Sequence, residues 1–301
     1  MAILREIKSR ISTVESTLKI TSAMSIISSS KLHKAQIALS NTARYEKNLR
    51  EILLSTYIHS HEKEDNIPQS DNASVVHPLC IKRDVSHLTL VVVSSNTTLC
   101  GAFNSNAEKL TVKTVKEFRE KNINKIRVIA IGKSAPKHLR KDLEGVEIET
   151  LPERVADKPS GKDIKDLASR LCAMYEAGET DHIEFIYNHF TSTLVQNTIR
   201  EVYLPVKLFE YGYSDNLDEY ILEPGMKEIR EKILRMLMRA KISLILADSR
   251  TAEHAARTVA MQMATENAKR LLQELTLQYN KGRQQAITNE LLDLMGGYYS
   301  V

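Results

Sequence analysis

The chain has 301 residues, 5% aromatic side chains, no Trp and a formal net charge of +4. That is length for one large domain or two modest ones, but so few aromatics fit a compact core poorly and fit long helices rich in Lys, Arg, Glu, Gln and Ala better. Three cysteines without metal-type spacing argue against a disulfide framework or a cysteine–zinc site and predict a reduced, intracellular chain. The amino terminus lacks the apolar run of a signal peptide, and no apolar stretch approaches the length needed to span a bilayer, so any membrane association has to come through partners.

Glycine and proline placement divides the chain. The first proline is Pro68 and the first glycine Gly101, while between Met226 and Met295 there is no proline and one glycine, Gly282. These residues are the principal helix breakers, so two breaker-poor ends flank a punctuated middle. In the first end, Ile7, Ile11, Val14, Leu18, Thr21, Ser25, Ser28, Leu32, Ala35 and Leu39 alternate spacings of four and three, the seam of a coiled coil. The seam turns small at Thr21, Ser25 and Ser28, where another helix can come close. A helix over residues 3–58 is predicted, about 80 Å long at 1.5 Å per residue. Residues 1–50 also carry nine Lys and Arg against three acids; this basic stripe serves either as a solvated face or as contact with an acidic partner, and stacking aromatics of a nucleic-acid surface are lacking beside it.

Residues 59–86 are polar and read as a loose surface loop. The middle, 87–225, has an α/β pattern: buried, β-branched strands at 88–93 and 126–131, helices at 105–121, 134–143 and 163–177, a short strand at 147–150, and strands at 182–188 and 194–202. The alternation predicts a Rossmann-like domain with a mainly parallel sheet. Residues 226–301 return to helical periodicity, with Ala252, Ala255, Val259, Ala264, Ala268, Leu271 and Leu275 along one face, a start after Pro224-Gly225 and an end at Gly296-Gly297. About 70 helical residues span roughly 105 Å. The expected fold is therefore α/β with a long antiparallel coiled coil of the two terminal helices, the second outrunning the first by about 20 Å.

Candidate chemistry is sparse. Gly132-Lys133-Ser134 follows a strand but lacks the earlier glycine of a phosphate loop, since position 127 is Arg; an ordinary strand-to-helix turn is expected. Cys100 has no base assignable from sequence and reads as a structural thiol. His59, His61, His77 and His87 cluster without metal-ligand spacing. Hence no catalytic residue, no metal site and no cofactor is predicted.

Several segments resemble one family. Lys19-Ile20-Thr21-Ser22-Ala23-Met24 and Ser30-Lys31-Leu32-His33-Lys34-Ala35-Gln36 resemble the first helix of F-type ATP synthase gamma subunits. Leu99-Cys100-Gly101-Ala102-Phe103-Asn104 resembles that family's LCGG loop. The segments from Glu253 to Met261 and from Leu275 to Leu291 match closely, and the order holds from end to end. The chain departs from the family pattern at Ser22, where a basic residue is usual, at Asn96-Thr97-Thr98, where Asp-Arg-Gly is usual, and at Ala102, the second glycine. The segment between first helix and first strand is longer than in typical bacterial members. The regulatory cysteines of chloroplast relatives have no counterpart, so a bacterial-type member is expected.

The resemblance implies a non-catalytic rotary shaft, standing in a hexamer of alternating alpha and beta subunits, with the epsilon subunit and the membrane c ring as further partners and nucleotide chemistry on beta. It places Arg283 and Gln284 at a catch contact on a beta subunit, and Ile287, Leu291, Leu292, Leu294 and Met295 in an apolar bearing. Met24 and Lys31 fall at the beta lever, and Tyr220 and Glu223 at a foot on the c ring. It implies a peripheral position on the cytoplasmic face of the bacterial inner membrane, and no nucleic-acid partner. Two other readings stay open on residues alone: a coiled-coil scaffold with a hinge domain, as in chromosome-organising ATPases, which would need a phosphate loop that residues 1–50 lack, and a small α/β enzyme with helical arms, which would need an active site.

Overall fold

The computed structural model describes residues 2–61, 77–123, 125–207 and 225–298, with the backbone alone at 2, 3, 57–61, 226 and 293–298. Its elements, in chain order, are α1 (Ala2–His61), β1 (His87–Val93), α2 (Phe103–Glu120), β2 (Lys125–Ile131), α3 (Ser134–Asp142), β3 (Glu147–Thr150), α4 (Arg154–Asp157), α5 (Gly161–Glu176), β4 (His182–Phe190), β5 (Gln196–Leu204) and α6 (Met226–Tyr298). The chain forms two compact units, one of residues 1–30 with 257–301, the other of residues 31–256.

In the larger unit the strands form one sheet in the order β3-β2-β1-β4-β5. The first four are mutually parallel and β5 is antiparallel to β4, so the predicted mainly parallel α/β domain is present. The side-chain period of two explains its layers. Leu88, Leu90 and Val92 point to one face and pack with Ala107, Val115 and Phe118 of α2 and Leu139 of α3. Val91 and Val93 point to the other face, where Leu171 and Tyr175 of α5, Leu53 of α1 and Leu237 and Ile245 of α6 cover them. Burial on both faces is why these strands read as unbroken apolar runs.

Local differences from the sequence expectation have physical causes. Helix α5 starts at Gly161, two residues early, because Ser160 and Asp163 form a capping box: Ser160 Oγ accepts from Asp163 N at 3.1 Å and Asp163 accepts from Ser160 N at 3.0 Å. Helix α6 continues through Gly296-Gly297 to Tyr298; glycine disfavours a helix by only about 1 kcal/mol. Residues 77–86 are anchored, in contrast to the loose loop expected. Leu79, in a short 3-10 turn at Pro78–Cys80, is 1% exposed. Its carbonyl accepts from Val206 N at 2.8 Å, Ile81 O accepts from the Tyr175 hydroxyl at 2.6 Å, and Arg83 donates to Tyr175 O at 2.8 Å while lying over that residue's ring.

Candidate interaction surfaces

In the smaller unit the two long helices pair. A Cβ placed on Gly282 would stand 3.1 Å from Leu4 Cδ2, so the helices approach closely there, and the lone glycine of this stretch has a packing reason. Thr265 Oγ1 donates to Thr21 Oγ1 at 3.0 Å. From Leu4 to Thr21 is seventeen residues forward, and from Gly282 to Thr265 seventeen residues back. The pairing is therefore antiparallel and in constant register. By that offset Ser28 faces Thr258 and Ile11 faces Leu275, and Thr21, Ser28, Thr258 and Leu275 are all buried.

The same register makes Gln284 the counterpart of Ala2, the first residue of α1. Helix α6 continues fourteen residues further, to Tyr298, which at 1.5 Å per residue is about 21 Å. On this extension Ile287, Leu291 and Leu292 are 49%, 57% and 60% exposed. Leu277 precedes Leu291 by two heptads and is 74% exposed; it lies on the side of the helix away from the buried Leu275. Arg283 and Gln284 are exposed between them, while Leu294 and Met295 belong to α6 but their side chains lie outside the described residues. On α1, Ile20, Ile26 and Ile27 are exposed and Met24 is half-buried. A helix apolar on several faces needs an enclosing partner. In the larger unit Lys31 is exposed. Tyr220 and Glu223 lie outside the described residues.

The crevice that doubly wound folds use for ligands lies at the carboxyl ends of the strands, where the strand order reverses; here that is between β1 and β4. The chain's own side chains fill it. Cys100, Phe103 and Ala252 form a buried cluster with Phe190 and Ala256 against it, and Asn188 Nδ2 donates to Phe103 O at 3.0 Å. Asp248 of α6 accepts from Phe190 N at 2.8 Å and pairs with His189 Nδ1 at 2.6 Å. Burial pushes its carboxyl above the ordinary range, and the His189 and Phe190 donors only partly oppose that. This clamp was missed from sequence, although an acid directly after the largely apolar residues 242–247 was its visible signal.

The turn at Gly132 is structural. Its φ is +94°, and a Cβ there would meet Ser94 O at 2.2 Å. The first amides of α3 are already occupied: Ser134 N donates to Ser95 O at 3.2 Å and Ala135 N to Ser94 Oγ at 3.3 Å. Lys133 Nζ pairs with Glu153 at 2.7 Å. A phosphate has no amide cradle here. Cys100 Sγ takes a hydrogen bond from Asn104 Nδ2 at 3.3 Å and lies close to Ser95 Oγ and Thr97 O. Burial pushes the Cys80 thiol up to about 12 and the Cys172 thiol to about 11, away from nucleophilic use. His77 caps the 3-10 turn and His87 pairs with Asp181, whereas the side chains of His59 and His61 lie outside the described residues. Among the described residues no three His, Cys, Asp or Glu side chains could jointly hold a metal, and no helix is long and apolar enough to cross a membrane.

A family model described as ATP synthase matches residues 3–301. The chain is 41% identical over 309 residues to the ATP synthase gamma chain of Bacteroides thetaiotaomicron, covering 99% of each. It is 34% identical over 297 residues to that of Flavobacterium johnsoniae, covering 99% of this chain and 98% of the relative. Its fold is similar to a chain in the Euglena gracilis mitochondrial ATP synthase OSCP/F1/c-ring structure, with a TM-score of 0.64 at 16% identity over 99% and 94% of the two chains. It is also similar to one in the Tetrahymena thermophila mitochondrial ATP synthase central stalk/c-ring structure, with a TM-score of 0.56 at 19% identity over 81% and 99%.

Proposed function

The chain belongs to the ATP synthase gamma-chain family, and on that premise we propose that it is the central rotor shaft, coupling ion-driven rotation of a c ring to ATP synthesis or hydrolysis on beta subunits. Its partners in this reading are the alpha and beta subunits, the epsilon subunit and the c ring, without nucleic acid. It reaches the membrane only through them, on the cytoplasmic face of the bacterial inner membrane. Residues 1–58 and 226–301 supply the shaft helices, 87–225 the α/β domain and 59–86 the connection.

One observation carries the proposal: beyond the close approach of Gly282 to Leu4, helix α6 is apolar outward at Ile287, Leu291 and Leu292. A sleeve of alpha and beta subunits would bury that surface, with Leu294 and Met295 continuing it. Arg283 and Gln284, exposed just before it, would hydrogen-bond a beta loop. Met24 and Lys31 would take the push of the beta lever, and Tyr220 and Glu223 would stand on the c ring. Each charge crossing the membrane supplies about 2.3 kcal/mol per 100 mV, so several crossings drive one ATP and the shaft transmits the sum. The self-filled crevice at β1 and β4 and the occupied amides of α3 support a non-catalytic subunit.

The test is co-expression with the alpha and beta subunits of the Bacteroides thetaiotaomicron relative's complex. A stable complex whose ATP hydrolysis turns a bead fixed to this chain is the expected result. Recovery with nucleic acid alone, self-association alone, or ATP hydrolysis by the isolated chain would defeat the proposal.

A further inference from the structure

Three side chains at the amino-terminal edge of the sheet form a relay that neither the core nor the shaft role uses. His87 opens β1, Lys125 opens β2, and the two are register partners in the parallel ladder. Asp181 directly precedes β4. Its Oδ2 accepts from Ser86 N at 3.0 Å and His87 N at 2.9 Å. Burial would push this carboxyl up, but these donors and the His87 ring outweigh it and hold it below the ordinary range. The same oxygen lies 3.2 Å from His87 Nδ1. An ionised carboxylate only accepts, so Nδ1 carries a proton and Nε2 is left to accept. Lys125 Nζ stands 3.1 Å from that nitrogen, and Lys125 is exposed. The neighbouring charges are engaged with one another: Arg127 pairs with Glu147 at 2.9 Å and with Glu179 at 3.9 Å.

A nucleophile in hydrogen-bond reach of a base, with the base oriented by a third group, is the arrangement that activates nucleophiles in proteins. We propose that Lys125 is a reactive surface amine with His87 as its general base and Asp181 as the positioning residue, and that it is a site of acylation by small acyl phosphates. His87 Nε2 takes one proton from the Lys125 ammonium and releases it to solvent. The freed amine lone pair attacks the carbonyl carbon, a C–N bond forms, and the bond from that carbon to the phosphate oxygen breaks. Phosphate leaves with the electron pair and takes up the second amine proton, giving an amide and hydrogen phosphate. An acyl phosphate fits because its leaving group departs unaided, and the relay supplies no acid to expel a poorer one.

The experiment treats the purified full chain with acetyl phosphate and follows each lysine by peptide mass spectrometry. Lys125 is expected to acetylate at least tenfold faster than the exposed Lys109 and Lys137, in keeping with the 10²–10⁴-fold range of positioned bases. His87→Ala should bring Lys125 down to their rate, and added free imidazole should restore it, which a purely structural role of His87 would not predict. Should His87→Ala fail to fold, the comparison of lysines in the unaltered chain decides. Equal rates at Lys125, Lys109 and Lys137, or an unchanged Lys125 rate in folded His87→Ala, overturn the proposal.

Discussion

Thr265 donates its hydroxyl to that of Thr21 across the helix pair at 3.0 Å, and Thr21 passes its own proton to Leu18 O at 3.2 Å. Polar pairs at a coiled-coil seam fix register more than they add stability. The register set by this pair and by Leu4 against Gly282 puts Val14 opposite Leu272. Cysteines at those two positions should therefore cross-link readily under mild oxidation, since facing seam positions lie within disulfide reach. A Val14→Cys, Thr276→Cys pair, one turn out of step, should not. Gel mobility with and without reductant reads both. Thr265→Val alone should cost about 0.5–1.5 kcal/mol, because Thr21 keeps its bond to Leu18.

Gly282 tests the close approach from the other side. The added atom in Gly282→Ala meets only the flexible end of Leu4, and alanine favours a helix by about 1 kcal/mol over glycine. Gly282→Ala should therefore be nearly neutral in urea unfolding. Gly282→Leu should push the helices apart and lower the midpoint, and Leu4→Ala in the same chain should recover part of the loss. Gly132 has no such freedom: its φ of +94° and the main-chain carbonyl of Ser94 at 2.2 Å from a would-be Cβ leave nothing flexible to yield. Gly132→Ala should destabilise the larger unit by roughly 2–3 kcal/mol or more, while Gly161→Ala, with nothing within 4 Å, should change stability by less than about 1 kcal/mol.

How far such features were legible follows from the range of the interaction behind each. Buried strands were readable because β1 and β2 are covered on both faces and so are apolar throughout. Both long helices were readable because a long run without proline and almost without glycine is itself the signal. The seam residues Thr21 and Ser28 were identified by spacing, and they are buried. Register was not readable, since it is fixed by a contact between residues 244 positions apart. The anchoring of 77–86 escaped because it rests on the burial of Leu79 and on bonds of Leu79 O, Ile81 O and Arg83 to the distant residues Val206 and Tyr175. Of the expected contact residues, Ile287, Leu291 and Leu292 emerge exposed near the end of α6, a property set by which face of that helix packs and hence again by register.

Two buried carboxylates should give opposite pH responses. Asp248 is held above its ordinary range by burial, so the folded chain binds its proton more readily than the unfolded chain does. Its contribution to stability grows as pH falls through that raised value and is lost above it. For Glu184 burial acts upward, but His182 and Arg200 outweigh it and hold the carboxyl low. Its contribution is present above the unfolded value and lost as pH falls through the folded one. Urea midpoints measured from pH 3 to pH 7 should therefore flatten in opposite senses for Asp248→Asn and Glu184→Gln. At neutral pH the sharper loss is expected from Arg200→Ala. It removes the guanidinium that bonds Glu184 at 2.9 Å and Glu117 at 2.6 Å and leaves a buried carboxylate short of its partner, at about 3–5 kcal/mol.

The outward apolar end of α6 allows a test that separates assembly from folding. Ile287 and Leu291 are about half exposed in the chain by itself, so replacing both with Asp removes little buried area. The urea midpoint of the isolated chain should move by less than about 1 kcal/mol, as for surface substitutions in general. In a hexamer of alpha and beta subunits the same two charges would have to enter an apolar sleeve. Burying an unpaired carboxylate costs several kcal/mol, so the amount of chain recovered with alpha and beta should fall by at least tenfold. Leu277→Asp, two heptads back on the same side of α6, provides the scale: if the bearing is confined to the extension, assembly should weaken less there than at Leu291. Equal recovery of the double variant and the unaltered chain would mean that these leucine and isoleucine side chains meet solvent in the complex too, and the sleeve would have to be sought elsewhere on the helix pair.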